Sequence, residues 1–372
     1  MRRLLHIGIG LVALLLAAAC SRLDDQPVVL EIYLNIPEAE MTKTDPGEVP
    51  VETAYESAIN NFKFWVFLSG TAGNFSDGHP MAYKQFSETY TGGTQKFTIE
   101  LEKASARVAE SVDVYVLANA TSVAMSGLSE SSSRNDLDNL VLTGETFGRK
   151  SNDGSPSVIA AGTDGLPFSA VGKNLPLTDD YPTLSVSTLQ LKRAVSKVQF
   201  VFSRSSKSPK TFEITGLQLD GNRIANEECV FNGSDNAYKI VGAADADASY
   251  VTEPIILSCP TSINACENPS DYAYSGQGGA AYRTLINTGV SENKLTRGTT
   301  CYLRESARPL SGTISYKIDG TAGTAPFSMI PTEIFSRNRS WVVYIYFYDD
   351  DIRLSVSWTE WEDGFEKDLT AE

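Results

Sequence analysis

Residues 16–43 read LAAACSRLDDQPVVLEIYLNIPEAEMTK, and the strand in their middle decides how the chain is read. Val28, Leu30, Ile32, Leu34 and Ile36 alternate with Val29, Glu31, Tyr33 and Asn35. Successive side chains of an extended segment point to opposite faces, so the five aliphatic residues share one face. Glu31 and Asn35 lie on the other. The pattern predicts a half-buried strand with one core face. Pro37 ends it. Residues 38–56 are polar and carry Pro46, Gly47 and Pro50, which marks an exposed loop. Lys43 sits in that loop and is the sole basic residue between Leu23 and Asn61. The strand is either a fixed piece of the core or a removable one.

Upstream, Arg2 and Arg3 precede an apolar run from Leu4 to Ala19. The run is shorter than the roughly 20 residues of a spanning helix, so residues 1–19 read as a targeting leader. Leu16-Ala17-Ala18-Ala19-Cys20 resembles the bacterial lipobox. The resemblance implies cleavage before Cys20, diacylation of its thiol and acylation of the new amino group. Each buried methylene contributes about 0.8 kcal/mol, so two or three chains tether a protein firmly to the outer membrane. The acidic pair Asp24-Asp25 resembles the surface-export signal of Bacteroidetes lipoproteins. A solvated spacer has the same composition.

The chain has 372 residues, enough for two domains of ordinary size, and a formal charge of −15. Loss of Arg2 and Arg3 with the leader leaves −17, two positive charges fewer. Such a surface repels nucleic acid. After lipidation of Cys20 the remaining cysteines are Cys229, Cys259, Cys266 and Cys301, an even number in an exported chain. Up to two disulfides are expected, in any of three connectivities. His79 is the one histidine outside the leader, in a Gly-His-Pro turn, which leaves little for histidine-dependent catalysis.

Further strands are expected at 59–68, 112–120, 211–219, 238–241, 254–257, 301–305 and 312–318. Residues 81–89 and 95–101 read as a pair around Thr91-Gly92-Gly93. Residues 112–120 are the most apolar and read as central. Ser133-Arg134-Asn135-Asp136 before Leu137 is a helix cap. Residues 143–183, and again 259–299, read mostly as loop, the first with a strand near Val158 and the second held by disulfides. Residues 184–203 read as two strands run together, interrupted at Lys192-Arg193, where the domain boundary is placed. In the longest run Trp341, Val343, Ile345 and Phe347 share one face and Tyr344, Tyr346 and Tyr348 the other. Asp349-Asp350-Asp351 turns the chain into Ile352, Leu354, Val356 and Trp358. Many short alternating strands separated by turn residues argue an all-β chain of two sandwiches, 20–192 and 193–372.

The order of certain pieces resembles the Bacteroidales fimbrillins, the subunits of type V pili. They are the lipobox followed by one strand, Thr42-Lys43-Thr44, Ile59-Asn60-Asn61-Phe62 entering a strand that ends Val66-Phe67, and Leu191-Lys192-Arg193-Ala194-Val195-Ser196-Lys197-Val198. Cys301-Tyr302-Leu303-Arg304-Glu305-Ser306, Arg337-Asn338-Arg339-Ser340-Trp341 and Trp358 complete the set, which spreads over nearly the whole mature chain. The resemblance implies two tandem transthyretin-like β-sandwiches and a fimbrial, non-enzymatic role on the cell surface. It also implies partners among other fimbrial subunits and a surface receptor. In that family a trypsin-like protease cuts behind the first strand, the strand leaves, and the groove accepts a strand from the next subunit. The family's cut usually follows arginine. Here no arginine lies between Arg22 and Arg107, so Lys43 is the candidate processing site. Val28, Leu30, Ile32, Leu34 and Ile36 are then the releasable strand, and Ile352, Leu354, Val356 and Trp358 the candidate donor. An uncut chain would act as an anchor, a tip or a solitary adhesin.

No metal cluster or cofactor is expected. Cys259 and Cys266 are too far apart for a zinc knuckle and no histidine supports them. Asp349 to Asp351 lack the spaced oxygens of a calcium loop. No nucleophile elbow or phosphate loop occurs. The alternative function is a surface glycan-binding lipoprotein of a polysaccharide uptake system. The row Tyr344, Tyr346 and Tyr348 reads first as packing against neighbouring strands, with stacking on sugars as its alternative.

Overall fold

The computed structural model describes residues 27–37, 58–69, 78–90, 92–106, 109–119, 127–143, 165–179, 181–225, 227–231, 250–266, 296–328, 335–348, 351–360 and 366–369. Within these the chain is all-β, with two short helices, α1 (Lys103–Ala106) and α2 (Arg134–Asp138), and a 3-10 turn at Gly221–Arg223.

The first half contributes β1 (Val28–Ile36), β2 (Phe62–Leu68), β3 (Ala82–Phe86), β4 (Gly93–Leu101), β5 (Ser111–Ala118), β6 (Val141–Thr143), β7 (Phe168–Pro176), β8 (Thr183–Ser185), β9 (Leu189–Gln190) and β10 (Lys192–Arg193). One sheet runs β4-β1-β8 with β9 also on β1, and the second runs β10-β7-β5-β2-β3. Alternation in the sequence becomes burial in the fold. In β1 every second residue from Val28 is buried, and the residues between are half-exposed. Phe97 of β4 presses into the facing sheet, its ring 5.1 Å from Phe62, 4.8 Å from Phe64 and 5.1 Å from Phe86. Strand β2 is buried on both faces, because residues 127–143 cover its outer side. There Trp65 Nε1 donates to Ser129 O at 2.8 Å, and the Arg134 guanidinium lies 5.1 Å from the Phe67 ring. The expected cap at Ser133 forms a reciprocal box with Asp136 and starts α2.

The second half contributes β11 (Ser196–Ser205), β12 (Phe212–Leu219), β13 (Glu227–Cys229), β14 (Ile255–Leu257), β15 (Ala265–Cys266), β16 (Thr296–Leu303), β17 (Ser311–Ile318), β18 (Thr321–Ser328), β19 (Arg339–Tyr348), β20 (Asp351–Glu360) and β21 (Glu366–Leu369). One sheet runs β15-β11-β19-β20-β21, with β16 also on β11. It faces β14-β12-β17-β18, and Phe200–Phe327 and Phe212–Phe347 meet across the gap at 5.7 and 5.5 Å. Trp341, Val343, Ile345 and Phe347 are fully buried, as their shared parity predicts. Tyr346, read as outward, is buried as well, at 2% exposure.

Some expectations are corrected. Residues 81–89 and 95–101 are not a hairpin: β3 pairs with β2 and β4 with β1, in facing sheets. Residues 168–176, expected as part of the loop at 143–183, are a strand. Strand β7 (FSAVGKNLP) pairs with β5, and its position in the sheet overrides its Gly, Asn and Pro content. Strand β18 (TAGTAPFS), unread for the same reason, buries Ala325 and Phe327. Strand β16 begins at Thr296 and stops at Leu303, before the buried pair Arg304 and Glu305. The strands expected near Val158 and at 238–241 lie outside the described residues.

Candidate functional site

β1 is an inner strand held on both edges. Strand β4 pairs antiparallel along its whole length, from Val28 opposite Leu101 to Ile36 opposite Gly93. On the other edge β8 runs parallel to Val29–Glu31, and β9 to Leu34–Asn35. Backbone bonds fill the gaps. Val29 N–H donates to Pro182 O at 2.9 Å, Val186 N–H to Glu31 O at 3.3 Å, and Leu191 N–H to Asn35 O at 3.0 Å. Val28, Leu30, Ile32, Leu34 and Ile36 point inward, none more than 1% exposed. At about 1.5–3 kcal/mol for each fully buried aliphatic side chain, burial favours the seated strand by about 10 kcal/mol. An empty seat would present two unpaired strand edges, β4 and β8–β9, over apolar surface.

The outward face fixes the register. Lys96 Nζ donates to Glu31 Oε1 at 3.1 Å, Tyr33 Oη to Glu31 Oε2 at 3.0 Å, and Asn35 Nδ2 to Gln190 Oε1 at 2.8 Å. Lys96, then Tyr33, holds the Glu31 carboxyl below the usual carboxylate range, and Glu31 in turn pushes the Tyr33 hydroxyl up. A carboxyl lowered on folding stabilises the fold above its unfolded pKa, and the effect is lost as pH falls through the folded value. Acid therefore loosens β1. Glu31→Gln should melt slightly below the natural chain at neutral pH and coincide with it in acid, so that the acid limb of the melting-temperature profile flattens; the step is small because the Lys96 side chain is half exposed.

Cys20 and Lys43 lie outside the described residues. Strand β20 is likewise an inner strand: it pairs with β19 over Asp351–Glu360 and with β21 through Val356–Thr359. Ile352 and Leu354 are half-buried against the second core. Val356 stands opposite Val343 and Trp358 opposite Trp341 in the ladder. Donation of β20 would break both of its ladders, β21 first.

Cys229, Cys259 and Cys301 are not bridged to one another. Cys266 lies in β15, its side chain outside the described residues. Burial pushes the Cys301 thiol up to about 12, so it is a poor nucleophile. Cys301 should resist iodoacetamide in the native chain at pH 8 and react fully after unfolding, as read by peptide mass spectrometry. Among the described residues no three His, Cys, Asp or Glu side chains come together as a metal site.

The sequence pointed to β1 but not to its seat. Lys96, Pro182 and Gln190 reach it through strand pairing that no local pattern encodes.

No protein-family model matches the sequence, and no curated protein matches it. Solved structures do. The tip fimbrial protein Mfa3 of Porphyromonas gingivalis, solved with a C-terminal truncation, is 14% identical, with a TM-score of 0.51 over 90% of this chain and 100% of that one. A cell adhesion protein of Parabacteroides distasonis is 13% identical, with a TM-score of 0.52 over 92% of this chain and 99% of that one. The fold is that of Bacteroidales fimbrial and cell adhesion proteins. A third structure, of a Bacteroides eggerthii cell adhesion protein, shares this fimbrial fold at 14% identity and a TM-score of 0.50, over 90% of this chain and 96% of that one.

Proposed function

We propose that this chain is a structural and adhesive component of a cell-surface fimbrium and not an enzyme. It is exported as an outer-membrane lipoprotein on Cys20, cut after Lys43, and joined to other fimbrial subunits when a donated strand replaces β1. The observation that carries this reading is the seat of β1: one amphipathic strand at the N-terminal end of the described residues, paired on both edges, with its five inward residues buried. A covalently free strand in such a seat is held by contacts that another strand of the same pattern can replace, in backbone bonds and side-chain pockets alike. The large apolar burial makes spontaneous loss slow, so replacement proceeds stepwise along the ladder. Ile352, Leu354, Val356 and Trp358 of β20 are the candidate donor.

The test is the N-terminal residue of the protein recovered from cells. Assembled protein should begin at Thr44, and a membrane-bound precursor at acylated Cys20. Cys20→Ser should lose palmitate label and leave the membrane fraction or remain unprocessed. A surface protein that begins only at Cys20 would exclude the strand-exchange role and leave an anchor, tip or solitary adhesin.

A further inference from the structure

Residues 227–231 come from the second half of the chain but are built into the first. Glu227–Cys229 form β13, which pairs with β6, Glu227 opposite Thr143 and Cys229 opposite Val141. Val230 N–H donates to Leu140 O at 2.9 Å, and Ser169 Oγ donates to Val230 O at 2.6 Å. Val230 and Phe231 are buried in the first core, where Phe231 meets Tyr115 edge-on at 5.2 Å. Tyr302 enters the same core.

The second half grips this strap from its own side. Arg337 Nη1 donates to Val230 O at 2.7 Å, and Nη2 donates to Cys229 O. Glu305 Oε1 lies 2.7 Å from Arg337 Nη2, and Glu305 Oε2 accepts the Arg337 backbone N–H at 3.2 Å. Arg304 Nε donates to Ala225 O at 2.7 Å. A second seam runs beside it: Arg193 N–H donates to Asn338 Oδ1 at 3.2 Å, and Asn338 N–H to Val195 O at 2.9 Å. The Glu305 and Arg337 side chains are 0% and 3% exposed. Two charges held out of water are costly unless they are paired and hydrogen-bonded. Two of the Arg337 hydrogen bonds go to the strap's own carbonyls, so displacing the strap takes both of these acceptors from a buried cation.

We infer that the strap at 227–231, locked by Glu305 and Arg337, makes the two buried cores one cooperative unit. A load applied to one core then passes to the other through the strap as well as through the covalent link near Arg193. The coupling holds whether or not the chain polymerises.

The test is urea unfolding of the whole mature chain in detergent, followed by pulsed hydrogen exchange and mass spectrometry. Peptides from β5 report the first core and peptides from β19 the second. In the natural chain both should unfold at one midpoint. In Glu305→Gln/Arg337→Gln the midpoints should split by about 1 M urea. Phe231→Ala, which keeps the ion pair and loosens the strap at its other end, should split them in the same way, and it decides the matter if the double variant does not fold. Separate midpoints in the natural chain, or coincident midpoints in a folded strap variant, would overturn the inference.

Discussion

Ile32→Asp should leave the mature chain without a stable first core. Ile32 is fully buried at the middle of β1, opposite Phe97 of β4. Truncating a buried aliphatic side chain costs about 2–5 kcal/mol. An unpaired carboxyl in the same place adds the cost of its desolvation. Whole domains are stable by only about 5–15 kcal/mol, so one substitution consumes most of the margin. The expected readout is loss of soluble yield and of cooperative melting by circular dichroism. Asn35→Ala, on the outward face of the same strand, removes only the bond to Gln190 and should fold normally. A soluble Ile32→Asp chain that melts like the natural one would mean that the first core does not depend on β1.

Phe97→Ala should cost about 3–5 kcal/mol in chemical denaturation. Phe97 stands beside Ile32 in the ladder, and its ring has four aromatic neighbours within 5.2 Å: Phe62, Phe64, Phe86 and Tyr90. Loss of the ring opens a cavity between β2 and the seat of β1, and neighbours on two sheets cannot both collapse into it. The variant should also release β1 faster once the loop behind it is cut, because the seat has lost part of its apolar wall. A loss below about 1 kcal/mol would show that the site can repack, as flexible sites do.

Alternation made β1 and β19 legible. Each carries at least four aliphatic or aromatic residues of one parity, and each proved buried on that parity. The capping box at Ser133 was legible because it is local. Strands whose residues are poor β-formers, β7 with its Gly172, Asn174 and Pro176 and β18 with Gly323 and Pro326, were not. They owe their place to neighbours already in the sheet, which no window of sequence contains. Pairing was illegible for the same reason. Adjacent strands β3 and β4 look like a hairpin, yet β4 belongs with β1, some 60 residues earlier in the chain. The candidate site divides along this line. Its five inward residues come straight from periodicity. The two- and three-residue strands β8 and β9, and the partners Lys96 and Gln190, come from long-range pairing. Likewise nothing in Val230-Phe231 announces that these residues fill the core of the other half.

The most direct test of a replaceable first strand is limited trypsin digestion of the folded mature chain, read by N-terminal sequencing and native gel. Strand exchange predicts an early cut after Lys43, a new N terminus at Thr44, departure of the fragment that holds Val28–Ile36, and a ladder of oligomers. A loop that resists trypsin, or a cut chain that keeps its fragment and stays monomeric, would contradict it.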